Sequence, residues 1–219
     1  MKAGQSTIYL TITRKAGIII MENNRYDLKS AAEAIDELRS RFVVTQKRGL
    51  HFIIPSVMIW AVILVLQFLI PDITNRNLAV FCSSTMLMPL AFVTSKLLGI
   101  KFSDKENPLS SPGFLFTMNQ MLYLTIVMWA FAANPQAMVM IYGIVFAAHL
   151  LPFGWLYRSK AYSVMSVFET AAALFSGIFG SARAVATVMT ISQVVLVLWL
   201  IIENRKDGMQ RNLYEKQVY

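Results

Sequence analysis

Residues that hold metals or carry out covalent chemistry are scarce in this sequence. It has one cysteine, Cys82, and two histidines, His51 and His149. A lone cysteine excludes an internal disulfide framework and a cysteine-rich metal site, and leaves the redox compartment open. Two histidines cannot supply a conventional multi-histidine centre, and no His-Glu-x-x-His pair occurs. No glycine-rich phosphate cradle appears either; the glycines of SGIFGS read as helix-packing residues. Charge is sparse, at 15% of 219 residues. No basic-aromatic motif accompanies the net charge of +8, so nucleic acid is not an expected partner. No catalytic residue, metal ligand or cofactor site is expected.

What is abundant is apolar. Hydrophobic residues make up 56% of the chain, and mean hydropathy is +0.54, too high for an ordinary water-soluble domain. The apolar residues collect in blocks of about 20, the length that crosses a bilayer core. Six such blocks lie at 51–70, 78–98, 113–133, 136–157, 161–180 and 184–202. The predicted fold class is an all-α integral membrane protein, a bundle of six transmembrane helices preceded by a cytoplasmic amphipathic helix. The domain reading is an N-terminal extension over 1–29, a juxtamembrane helix over 30–48, the six-span domain over 49–203 and a basic cytoplasmic tail over 204–219.

Residues 1–29 read as disordered. Arg14 and Lys15 split the apolar residues near the start into pieces too short to span, and no small-residue cleavage site follows. Whether residues 1–20 belong to the native protein is a question for N-terminal mass spectrometry. From Ser30, the spacing to Glu33 predicts a capping box. Ala31, Ile35, Leu38 and Phe42 then form one helical stripe. Arg39, Arg41, Lys47 and Arg48 crowd the approach to the first span, where contact with anionic lipid or with a docking partner is the functional reading. A solvated helix leading into the span is the bland one. Pro55 falls in the first turn of that span, where a missing donor costs little. In the second span Pro89, preceded by Ser83, Ser84 and Thr85, predicts a kink.

Lys and Arg fix the orientation. One side receives Arg39, Arg41, Lys47 and Arg48, then Lys96, Lys101 and Lys105, the turn Arg158–Lys160, and Arg205, Lys206 and Arg211 of the tail. The other side receives Arg76 and Arg183. The alternation holds at every crossing, which places both termini in the cytoplasm. The two halves show no repeat of the kind expected of an inverted-repeat transporter.

Chemistry, where there is any, centres on Met138 to Gly180. His149 and Glu169 lie roughly ten residues either side of the Arg158–Lys160 turn, and so at similar depth in one half of a bilayer. A charged residue within a span faces protein and finds a partner. Ala173 and Gly177 follow Glu169 at intervals of four, a small-residue stripe on which another helix packs. Gln120, with Asn119 beside it, and Gln193 fall at comparable distances from the basic ends. The result is a candidate polar intramembrane layer of His149, Glu169, Gln120 and Gln193, about 10–15 Å inside the cytoplasmic surface. It reads either as a site for a small solute, ion or proton relay, or as a hydrogen-bonded clamp between helices.

The segment ELRSRFVVTQKRGLHFIIPSVMIW joins a basic helix, a Lys-Arg-Gly step and a His-led span with an early proline. It resembles the start of a family of small bacterial multi-span membrane proteins of unknown function, over about 33–202. The resemblance implies a bacterial inner-membrane protein and carries no catalytic or binding residue. Ser176-Gly177 matches part of an intramembrane serine-protease motif, but the expected preceding glycine is missing and His149 comes before the serine. The expected function is therefore non-enzymatic, transport or sensing through the polar layer. The competing class is a structural or accessory subunit docking a cytoplasmic partner. The expected surroundings are the lipid bilayer of the cell inner membrane, and the reading admits a homo-oligomer.

Overall fold

Prolines and a run of left-handed residues decide where the helices of this chain stop. The computed structural model describes residues 27–102 and 107–218, with side chains described to Gly208. Among the described residues the secondary structure is helical, with no strand. The chain divides into two units, Met1–Leu38 and Arg39–Tyr219. In the first, residues 27–38 are helical, and Ser30 Oγ donates to the Asp27 carbonyl at 2.9 Å. Ser30 therefore lies inside a helix that already includes Asp27, and does not cap it as the spacing to Glu33 suggested. Of the extension expected over 1–29, residues 1–26 lie outside the described residues, while 27–29 are helical rather than disordered.

The second unit opens with helical residues 39–46 and a tight 3-10 turn, Lys47–Gly49. Lys47, Arg48 and Gly49 have φ of 45°, 52° and 69° in succession. A left-handed conformation costs a non-glycine residue about 1–2 kcal/mol, so something must hold the first two. Lys47 Nζ donates to the Leu98 carbonyl at 2.6 Å, and its own carbonyl accepts from Asn204 Nδ2 at 3.1 Å. The Arg48 carbonyl accepts from Tyr162 Oη at 2.8 Å. At Gly49 a Cβ would lie 2.9 Å from Tyr157 Cε2, so the position needs glycine for space as well as for φ.

Among the described residues, eight α-helices follow in this unit: α1 (Leu50–Leu69), α2 (Ile73–Ser84), α3 (Leu87–Leu97), α4 (Ser110–Ala133), α5 (Met138–Ala148), α6 (Leu151–Leu156), α7 (Lys160–Phe179) and α8 (Ala182–Val218). Taking α2 with α3 and α5 with α6, six helices among the described residues are long and apolar enough to cross a membrane. Two of the six are broken. The second is interrupted at Thr85–Met86, because Pro89 has no N–H and its ring clashes with the carbonyl four residues back, that of Thr85. The hydroxyls of Ser83, Ser84 and Thr85 bond back to the carbonyls of Val80, Phe81 and Cys82 at 2.8, 2.6 and 2.7 Å. The fourth breaks at His149–Leu150, where Pro152 acts in the same way on Ala148. That second break was not anticipated. The last helix runs on through Val218, well past the expected span end at Ile202.

Helices α1, α5, α7 and α8 form the centre, α5 packing on α7, α7 on α8 and α8 on α1. Helices α2 and α3 lie against α1, and α4 lies against α5 and α6. The stripe read from the sequence sits at the α5–α7 contact: Ala173 is fully buried, and a Cβ on Gly143 would be 3.2 Å from that of Ala173. The burial pattern inverts that of a water-soluble bundle. Ser56, Glu169 and Gln193 are buried, while Phe114, Leu122, Val167 and Phe179 are exposed.

Candidate functional site

The break at His149 shapes the site. Because α5 stops at Ala148, carbonyls near its end lose their helical donors. The Ala147 carbonyl accepts from Ser166 Oγ of α7 at 2.8 Å. The Phe146 carbonyl accepts from His149 Nδ1. A carbonyl only accepts, so that bond puts a proton on Nδ1; in the neutral ring Nε2 is then the acceptor. The imidazole stands in an aromatic ladder, 5.2 Å from the ring of Phe146 and 6.0 Å from that of Phe153. The ladder continues through Phe153 and Tyr157 at 5.9 Å and from Tyr157 to Phe42 at 5.7 Å.

His149 lines a pocket of about 460 Å³, its open mouth included, together with Ser56, Gln120, Leu87 and Thr117. Both helix breaks therefore border it: His149 lies at one, and Leu87 is the first residue after the other. Gln120 is 4% exposed and makes no hydrogen bond with another described residue, so its amide is available to whatever enters. Phe52, Thr117, Phe153 and Tyr157 are shared with a wider cavity of about 800 Å³, open space included, that Gln46, Phe102 and Ser110 also line. The two cavities share that wall, with Phe42, Phe102 and Phe114 lining the wider one and Gln120, His149 and Ser56 lining the narrower.

The other half of the expected layer is elsewhere. Gln193 Nε2 donates to Glu169 Oε2 at 2.8 Å, and Ser56 Oγ donates to Gln193 Oε1 at 2.6 Å and is 2.7 Å from the Ile53 carbonyl. Glu169 and Gln193 are fully buried. This chain ties α1, α8 and α7 together, and neither Glu169 nor Gln193 lines the pocket. No hydrogen bond or ion pair joins His149 to Glu169 among the described residues. The four candidates thus fall into two pairs, His149 with Gln120 on the pocket wall and Glu169 with Gln193 behind it. Ser56, the residue common to both, was missed; a serine within a proline-started span gives no signal in sequence. Asn119 is exposed on α4.

At the basic end, Arg48 is 5% exposed. Its guanidinium donates to Asn204 Oδ1 at 2.9 Å and Asp207 Oδ2 at 2.6 Å, and its Nε lies 3.3 Å from Glu203 Oε2. Glu203 also accepts from Ser159 Oγ at 2.6 Å and from the Ala161 amide at 3.2 Å. Arg48 was expected among the residues facing anionic lipid; paired in this way, it pins α1 to α8 instead. Lys47 is engaged with a carbonyl, and the Arg39 guanidinium lies 4.7 Å over the exposed Trp155 ring. Among the described residues no group of three or more His, Cys, Asp and Glu could hold a metal ion.

Residues 35–203, which take in the Lys-Arg-Gly turn and α1 to α7, match a family of unknown function, DUF7010. The chain belongs to that family. The resemblance noted over about 33–202 covers the same stretch. No curated protein and no solved structure matches the chain. DUF7010 membership therefore names no activity, and a functional reading rests on the site itself.

Proposed function

We propose that this DUF7010 protein is a six-span protein of the bacterial cytoplasmic membrane, with both termini in the cytoplasm, that binds a small lipophilic molecule bearing one hydrogen-bonding head. The pairing of two broken helices around one pocket is the observation that carries the reading. Irregular backbone at membrane depth is tolerated where it lines a cavity, and discontinuous helices recur at solute sites. Gln120 and the His149 Nε2 offer a donor and an acceptor to the head, and the phenylalanine-lined wider cavity suits the rest of the ligand. Lys and Arg distribution supports the orientation. The outward apolar side chains support insertion. Binding of this kind serves sensing or transport without a chemical step.

A second reading applies to the other pair. Glu169 Oε2, the Gln193 amide and the Ser56 hydroxyl meet one another in a buried chain across three helices, which favours a helix clamp over a solute site there.

Native mass spectrometry of the full chain, released from a mild uncharged detergent, tests the proposal. A bound small molecule is expected on the wild type and is expected to be lost in Gln120→Leu/His149→Phe. A wild type without any adduct, or a double variant that keeps it, would overturn the reading.

A further inference from the structure

The end of the bundle away from Arg48 carries little charge, and what it has is gathered in one place. Arg76 and Arg183, the two basic residues that the sequence assigns to this side, line the same cavity of about 830 Å³, mouth included. Gln67, Asn77, Gln136 and Ser181 line it with them, and no Asp or Glu does. Arg76 Nη1 donates to the carbonyls of Ile70 and Pro71 at 3.3 and 3.4 Å, and its Nε is buried without a hydrogen-bond partner. The Arg183 guanidinium lies 5.5 Å from the centre of the Phe68 ring. Neither arginine forms an ion pair among the described residues; their partners are carbonyls and a ring, which leave the charges uncompensated. The acid in this turn, Asp72, caps α2 by accepting from the Asn75 amide at 2.8 Å. The first residues of α8, Ala182 and Arg183, also face the cavity, adding the positive end of a long helix.

We propose that this cavity binds an oxyanion of the phosphate class, with Arg76 and Arg183 as its cationic contacts and the neighbouring amides and Ser181 as neutral donors. Guanidinium groups suit phosphate because their forked donors match its oxygens. Arg76 is held by the α1–α2 turn, so it is positioned before the anion arrives. Arg183 is exposed and completes the contact from the α7–α8 turn. The phosphate can belong to a lipid headgroup or to a soluble ion, and the chemistry of recognition is the same.

Thermal unfolding of the full chain in uncharged detergent distinguishes the sources. One arm titrates sodium phosphate against sodium chloride at equal ionic strength. The other adds phosphatidylglycerol against phosphatidylcholine. A saturable rise of the midpoint with phosphate supports a soluble oxyanion, and a rise confined to phosphatidylglycerol supports a headgroup. Arg183→Gln changes an exposed side chain, so the fold is retained, and its apparent affinity for the active probe is expected to fall roughly tenfold or more. Arg76→Lys keeps the charge but loses the fork, and is expected to weaken binding less than Arg76→Gln. If neither probe raises the midpoint above its control, or if Arg183→Gln and Arg76→Gln respond as the wild type does, the proposal is wrong.

Discussion

Replacing Gln193 by leucine isolates the buried chain across α1, α7 and α8. The two side chains have similar volume, so the change removes hydrogen bonds without opening a large cavity. Ser56 loses an acceptor but keeps the Ile53 carbonyl at 2.7 Å. Glu169 loses the one hydrogen bond it makes among the described residues, and its Oε1 already has no partner. The cost therefore falls mostly on a carboxyl group left with nothing to bond. A buried polar group orphaned in this way costs about 1–3 kcal/mol. In a bilayer the unfolded reference also finds partners, which lowers the expectation to about 1–2 kcal/mol. Replacing both partners, Gln193→Leu with Glu169→Leu, leaves no orphan, so most of the loss should be recovered. The assay is a double-mutant cycle on reversible unfolding in mixed micelles of anionic and uncharged detergent, read by tryptophan fluorescence; Trp60 in α1 is fully buried and reports the core. A coupling of about 1–2 kcal/mol is expected. Single-mutant losses that simply add, with coupling under about 0.3 kcal/mol, would refute the clamp.

Two further predictions follow from the packing. Arg48→Met removes the contacts to Asn204, Asp207 and Glu203 while keeping the stem. It should destabilise the bundle by about 2–3 kcal/mol, below the range for fully buried pairs because the Asp207 side chain is 41% exposed; the same unfolding assay measures it. Ala173→Leu forces a large side chain into the α5–α7 contact opposite Gly143. It should cost about 1–3 kcal/mol or prevent folding, whereas Val167→Leu on the exposed face of α7 should be nearly silent.

How far the structure could be read in advance varies with the kind of signal. Long apolar blocks separated by polar turns are unambiguous, so the helical count needed no tertiary information. The small-residue stripe after Glu169 marked a helix-packing face without naming its partner; the partner is α5, where Gly143 lies opposite Ala173. The break at His149 was legible too, three residues before Pro152, but the proline was read as part of a continuous span. Depth alone could not divide the polar layer. Residues at one level in a bundle can face different neighbours, and helix rotation decides which. Glu169 turns toward Gln193 of α8, which reaches Ser56 of α1, while His149 and Gln120 line the pocket that Leu87 of α3 also borders. Within the basic cluster before the first span, Arg48 could not be told from its neighbours in sequence: it lies on a left-handed turn, which swings its side chain inward to the acids of α8.

The account depends most on the pocket at His149 and Gln120 being open to water from the basic end, beside a chain at Glu169 that is closed. Thr117 lines both cavities, and Cys82 can be changed to serine to give a thiol-free background. In Cys82→Ser/Thr117→Cys, reaction with a small water-soluble maleimide measures that access directly. The account predicts labelling of the folded protein from the side bearing the Arg158–Lys160 turn. A thiol that reacts only after the bundle is unfolded would contradict it.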